Sequence, residues 1–256
     1  LAKIKQFYRI QTQNSLPFYA VKSRGDRLWR IEGTPWHGYN VTSEFFTPGE
    51  VNFLPPVLPS QIIGIGLNYL DHIKELDHTF PEDPVIFFKS ITSLTGPGGA
   101  IRLPSQSKRV DYEAELAIII GKKTWQVSES DAEQHIAGYT CLNDVTARDL
   151  QKKDGQWCRA KSFSTFCPVG PGITQGVDPQ KLRIRLFQNG TLRQDSNTSQ
   201  LLFPPAQLVS FISQVMPLYP ADIIATGTPS GIGPMQKGDT IEIEIEDVGR
   251  LINNVG

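Results

Sequence analysis

The chain has 256 residues, of which 39% are hydrophobic and 20% charged, and its formal net charge is −1. That length accommodates one large domain, or a small one beside a larger one, with enough chain to bury a real core. The balanced charge, with no run of one sign, argues against a nucleic-acid or membrane-surface partner, and no apolar run approaches the length needed to cross a bilayer.

The opening residues, LAKIKQFYRI, contain no signal-peptide core and no initiator Met, so the native start is left open. Up to about Leu58, short strand-like runs (FYAVKS, RLWRIEG) alternate with turn residues and end in the proline cluster FLPPVLP, which reads as a linker. This predicts a small β-rich N-terminal domain over residues 1–58 and a catalytic domain over 59–256. From Gln61 onward the texture changes to apolar strands: QIIGIG, PVIFFKS, EAELAIIIG, IRLFQNG, DIIATG and DTIEIEIEDVG. Helical signals are fewer. SESDAEQHIAGY predicts a short helix with a Ser or Asp cap, and PAQLVSFISQVM an amphipathic one started by proline. The fold class expected is mainly β within α+β. Cys141, Cys158 and Cys167 are odd in number and form no CxxC pair, so all three read as small buried hydrophobes in a reducing cytoplasm.

The chemistry concentrates in carboxylates. In VDYEAELAIIIGK, Glu113 and Glu115 are two apart on a predicted strand and leave the same face. A comparison lies in the same chain: Glu242, Glu244 and Glu246 alternate with Ile241, Ile243 and Ile245, the pattern of a half-buried strand with its charges in solvent. The earlier strand differs, because Ala117 and Ile119 continue the glutamate face while Tyr112, Ala114, Leu116 and Ile118 make up the other. Apolar residues on both faces indicate a strand covered on both sides, with the glutamates near the buried end of a cleft. Two carboxylates held there raise each other's pKa, and a cation relieves this, either a metal or a Lys/Arg partner. In LNDVTARDLQ, Asp144 reads as a helix N-cap or as a further carboxylate, with Arg148 and Gln151 at i+4 and i+7 on one helical face. Sequence spacing does not bring Asp144 to the glutamates. If the three meet, an all-oxygen set favours Mg²⁺, with Mn²⁺ or Ca²⁺ next, over Zn²⁺.

The motifs GLNYLDHIKE, PVIFFKS, VDYEAELAIIIGK, LNDVTARDLQ, AKSFSTFCPVGP, NGTLRQDSNTSQLLF and IIATGTPSGIGP follow one another from about Ile62 to the C-terminus. Together they resemble the fumarylacetoacetate hydrolase family, with the nearest likeness to its acylpyruvate hydrolase, oxaloacetate decarboxylase and hydroxyhepta-dienedioate isomerase group. The resemblance implies a mixed β-sandwich roll, a homodimer, and a Mg²⁺ or Mn²⁺ site on Glu113, Glu115 and Asp144. It also implies a small 2-oxo acid substrate. Lys161 of AKSF matches a residue aimed at the developing oxyanion. Arg148 and Gln151 resemble substrate-contacting positions and Thr228 of GTPSG one that binds a carboxylate; Lys89 of IFFKS, which follows a buried-looking strand, is a second candidate for the oxyanion-facing lysine and so for substrate contact. His72 and Glu75 match a His/Glu dyad that moves a proton or activates water from a lid over the substrate. His37, His78 and His135 match nothing and read as structural.

Two decoys fall away. GIGLNY imitates a dinucleotide loop but has Tyr69 where the third glycine belongs, and GTPSGIG has the wrong spacing for a nucleophile elbow. The leading expectation is cleavage or decarboxylation of an acylpyruvate- or oxaloacetate-type substrate through an enolate held at the metal. The alternatives are an isomerase or tautomerase of oxaloacetate or of a hydroxyhepta-dienedioate, and a non-catalytic binding protein with the same fold.

Overall fold

The structure, a computed structural model, describes residues 4–23, 25–71 and 79–256. Strands dominate it, as the alternating and continuous apolar runs predict. Among the described residues the largest sheet has 12 strands. Its main path runs Gly38–Phe46, Leu28–Thr34, Phe18–Lys22, Lys5–Gln11, Cys167–Gln175, Ile136–Asn143, Ala114–Ile120, Ile223–Ala225, Ile62–Gly66 and Val85–Lys89. Along this path every pairing is antiparallel except Ile223–Ala225 with Ile62–Gly66. The first strand, Lys5–Gln11, pairs with Cys167–Gln175, so the N-terminal strands extend the same sheet that carries the central ones.

A five-stranded sheet (Thr191–Asn197, Arg183–Gln188, Thr240–Ile245, Gly249–Val255, Ala100–Ile101) covers one face of the large one. The central strand Ala114–Ile120 shows why both of its faces are apolar. Ala114, Leu116, Ile118 and Ile120 enter one core with Leu186, Ile243, Leu208 and Ile212, whereas Ala117 and Ile119 enter another with Phe7, Ile173 and Ile223. Each Leu, Ile or Phe among them that is removed from water stabilises the fold by about 1.5–3 kcal/mol.

The comparison strand Thr240–Ile245 buries Ile241, Ile243 and Ile245 and turns its glutamates away from the core. Glu246 is exposed, but Glu242 and Glu244 are only half-exposed, because Arg250 reaches both and Arg185 pairs with Glu244. Ser128 caps the one-turn helix Glu129–Ala132, and Pro205 starts the helix Pro205–Val215, which buries Leu208, Val209 and Ile212. Cys141 and Cys167 are buried as expected. Cys158 is not: it is exposed on the short helix Cys158–Lys161, whose inner face is occupied by Ala160 and Lys161.

Candidate active site

Glu113 lies at a break between sheets. Val110–Tyr112 belongs to a three-stranded sheet with Thr146–Ala147 and Gly233–Pro234, and the chain enters the large sheet at Ala114. Two side-chain amides satisfy the backbone donors at the break: Asn143 Oδ1 accepts from Glu113 N–H (3.0 Å) and Gln194 Oε1 from Ala114 N–H (3.0 Å). The antiparallel pairing of Ala114 with Asn143 brings the next residue, Asp144, alongside, and its N–H donates to the Glu113 carbonyl (2.9 Å). Asp144 caps no helix. The helix Arg148–Asp154 starts only after the Thr146–Ala147 strand, with Ala147 at its N-cap, so the N-cap reading of Asp144 fails and its carboxylate is left to the site.

Carboxylate oxygens of Glu113, Glu115 and Asp144 all lie within 4.8 Å of one another, and all three residues are buried. Lys161 Nζ bridges Glu113 (2.8 Å) and Asp144 (2.5 Å), and Lys89 Nζ takes the other Asp144 oxygen (2.6 Å). The Arg148 guanidinium grips the second Glu113 oxygen, donates to Asp111 (3.0 Å) and reaches Gln151 (2.7 Å). Among the described residues no Lys or Arg pairs with Glu115. Its partner is the Gly227 N–H (2.8 Å), at a φ of +102° suited to glycine.

These partners split the glutamates. Burial pushes Glu113 up, but Lys161 and Arg148 outweigh it and hold the carboxyl far below the usual range. Burial, with Asp144 and Glu113 adding to it, drives Glu115 well above that range. Burial lowers Lys161, yet Asp144 and Glu113 more than compensate and keep it an ammonium.

The donor set fits a hard divalent cation. Three buried carboxylates within 4.8 Å of one another, with no nitrogen or sulfur donor among them, suit Mg²⁺ or Mn²⁺ rather than Zn²⁺. Glu115, the carboxylate without a cationic side chain, is the one such an ion would neutralise.

A cavity of about 620 Å³ opens onto this cluster. Arg148, Gln151 and Thr228 stand at its sides, and Phe87, Trp157, Leu67 and Ile232 supply its apolar surface. The Thr228 hydroxyl accepts from Gln194 Nε2 (2.9 Å). Two of the three Lys161 N–H donors are engaged by Glu113 and Asp144, leaving one for a ligand oxygen. Lys89, fully buried behind Asp144, is not among the lining residues. A larger groove of about 970 Å³ on the N-terminal strands, lined by Val21, Trp29, Tyr39 and Val41, carries none of these groups.

His72, Glu75 and His78 lie outside the described residues. His37 is exposed, and His135 is half-buried with Nδ1 2.9 Å from the Thr124 hydroxyl, so neither borders the cavity.

Residues 61–256 match the family model for the fumarylacetoacetate (FAA) hydrolase C-terminal domain. The chain belongs to the fumarylacetoacetate hydrolase family. It is 55% identical over 203 residues to an uncharacterized protein of Archaeoglobus fulgidus, covering 79% of this chain and 81% of that one. It is 43% identical over 219 residues to the mitochondrial oxaloacetate tautomerase FAHD2B of Homo sapiens, covering 80% of this chain and 70% of that one. The crystal structure of 2-hydroxyhepta-2,4-diene-1,7-dioate isomerase from Mycobacterium marinum superposes with a TM-score of 0.91 at 40% identity, covering 98% of this chain and 97% of that one. Membership of this family of enzymes and the strand-dominated fold agree with the motif reading. Among the described residues no helix is long and apolar enough to cross a membrane.

Several site residues escaped the sequence reading. Asp111, fully buried, clamps Arg148 and Arg109. Period-two spacing could have found it, since Asp111, Glu113 and Glu115 alternate along one line. Asn143 and Gln194 carry no such signal, because their role is to satisfy a backbone break visible only in three dimensions.

Proposed function

We propose that this chain is a Mg²⁺- or Mn²⁺-dependent enzyme that interconverts the keto and enol forms of a small 2-oxo acid. The observation that carries the reading is the buried carboxylate trio, with the Lys161 ammonium held against two of its members and facing the cavity. The oxaloacetate tautomerase and dienedioate isomerase among the relatives support isomerisation.

Glu113, Glu115 and Asp144 would hold the cation, which when bound supplies Lewis acidity to a substrate that offers a carboxylate and a keto oxygen. In the keto-to-enol direction a C3–H bond breaks, its electron pair forms the C2=C3 bond, and the C2 oxygen gains charge and then a proton. The remaining Lys161 N–H donates to that oxygen as the charge grows, the role in which a buried, pre-aimed donor is most effective. Arg148 is held by Asp111 and Gln151 in a fixed orientation, and with Thr228 it offers donors for a substrate carboxylate. His72 and Glu75 are proposed from the motifs to carry the C3 proton.

Cleavage or decarboxylation of a 2-oxo acid passes through the same enolate and is the second reading, favoured by a cavity with space for an acyl chain. Oxaloacetate with Mg²⁺ or Mn²⁺ separates the two. Faster keto–enol relaxation in the ultraviolet with no pyruvate formed supports the tautomerase, whereas stoichiometric pyruvate and CO₂ support the decarboxylase. No acceleration with any acylpyruvate, oxaloacetate or dienedioate rejects both. A homodimer is proposed from the family resemblance, and light scattering of the purified protein tests it.

A further inference from the structure

The strand Ile62–Gly66 reads Ile-Ile-Gly-Ile-Gly, and its two glycines meet aromatic rings. A Cβ on Gly64 would fall 2.1 Å from the Phe87 ring, and one on Gly66 would fall 2.5 Å from the Trp157 ring. Both rings therefore lie flush on backbone that carries no side chain. They also touch each other edge to face, with centroids 5.4 Å apart, and Phe87 lies under the Lys161 ammonium, 5.0 Å from Nζ. Neither ring is fully buried, and both line the cavity. Hydrophobic burial alone does not explain two half-exposed aromatics lining a cavity that also holds charged groups. An apolar face awaiting a ligand does.

The volume points the same way. About 620 Å³ is within the range of sites that enclose drug-sized ligands, well beyond the need of a bare four-carbon diacid.

We propose that Trp157 is a specificity-determining residue, seated by Gly66, whose indole face receives the carbon chain of the substrate beyond its 2-oxo carboxylate head. The preferred substrates are then 2-oxo acids with a planar acyl, aryl or conjugated chain. Such a chain buries its face against the ring, while the head engages the Glu113, Glu115, Asp144 and Lys161 end. This inference rests on the proposed 2-oxo acid reading and deepens it.

The test uses two unreactive probes that share a head and differ in the tail, oxalate and N-phenyloxamate, titrated calorimetrically into the protein with saturating Mg²⁺. Trp157→Ala is expected to weaken N-phenyloxamate about tenfold and to leave oxalate within about twofold. The Lys161 N–H bond to the Trp157 carbonyl is backbone and survives that change. Trp157→Phe should restore most of the lost affinity. Gly66→Ala, which displaces the ring, should resemble Trp157→Ala toward N-phenyloxamate and add nothing in the Trp157→Ala background. Equal losses for both probes, no loss for either, or additive effects of the two substitutions overturn the inference while leaving the proposed function standing. Wild-type protein that binds neither probe overturns both.

Discussion

Glu115 is the carboxylate whose neutralisation the fold leaves incomplete, and replacing it by Gln in metal-free protein isolates that cost. Two unit charges no more than 4.8 Å apart at an effective dielectric of about 20 repel by at least about 3 kcal/mol. Glu115 faces two such neighbours, Glu113 and Asp144, partly offset by the Lys161 ammonium and the Gly227 N–H. Burial, the largest cause of the upward shift, adds to this repulsion, and the ionised form carries a net penalty on the order of 3 kcal/mol. Because burial and these neighbours raise its pKa in the folded state, the native protein binds this proton more tightly than the unfolded chain. The Glu115 contribution to stability is therefore intact below the ordinary value of 4.5 and is lost as pH rises through the folded pKa. Glu115→Gln keeps an acceptor for Gly227 and removes the charge. In urea unfolding after chelation, wild type and variant should be close in stability at about pH 5, and the variant ahead by about 3 kcal/mol at about pH 8. With an m-value of about 3 kcal/mol/M this is a midpoint shift of about 1 M. Saturating Mg²⁺ at about 100 times its Kd should then stabilise wild type by about 2.7 kcal/mol and the variant far less. A variant less stable than wild type at the higher pH without metal, or one stabilised equally by Mg²⁺, refutes the reasoning.

Lys161→Met leaves Glu113 and Asp144 without their shared ammonium and should cost about 10²–10⁴ in kcat, read at saturating metal and substrate, together with a lower unfolding midpoint. Asp222 is fully buried and accepts from the Ser60 N–H and hydroxyl, the Gln61 N–H and Nε2, and the Tyr219 N–H. Asp222→Ala should therefore destabilise the fold by about 3–5 kcal/mol in urea unfolding while leaving kcat of the folded fraction unchanged. Burial pushes the Cys141 thiol up and the Cys167 thiol up to about 12, while Cys158 is exposed, so a thiol reagent should modify one cysteine rapidly in native protein and three in denaturant.

Local pattern was enough for the strands and for one distinction among the acids. Glu113 and Glu115 differ from Glu242, Glu244 and Glu246 because residues on both faces of their strand are apolar, and those faces enter two separate cores. Asp144 was different in kind. Its place beside Glu113 depends on the register between Ala114–Ile120 and Ile136–Asn143, a pairing across 15 intervening residues that no periodicity encodes. The same holds for the first strand, where Lys5–Gln11 joins Cys167–Gln175 from the far end of the chain. Cys158 misled for a simpler reason: a four-residue helix has one inward face, and Ala160 and Lys161 occupy it.

Lys89 shows how charge accounting can reassign a motif residue. Its family-like position beside an apolar strand made it a candidate for substrate contact, yet its ammonium has no exposed surface and donates to Asp144 and to the Val145 carbonyl. Asp144 has two oxygens, and Lys161 takes one from the cavity side while Lys89 takes the other from behind. A buried carboxylate with one uncompensated oxygen is expensive, and breaking such a pair typically costs about 3–5 kcal/mol. With Lys89 fixed behind it, the Asp144 carboxylate stays aimed, and Lys161 keeps one donor free for the cavity. We therefore propose Lys89 as a positioning residue. Lys89→Met should lower the affinity for Mg²⁺ and the unfolding midpoint together, with KM for the organic substrate unchanged at saturating metal. A raised KM with unaltered metal affinity would restore the substrate-binding role.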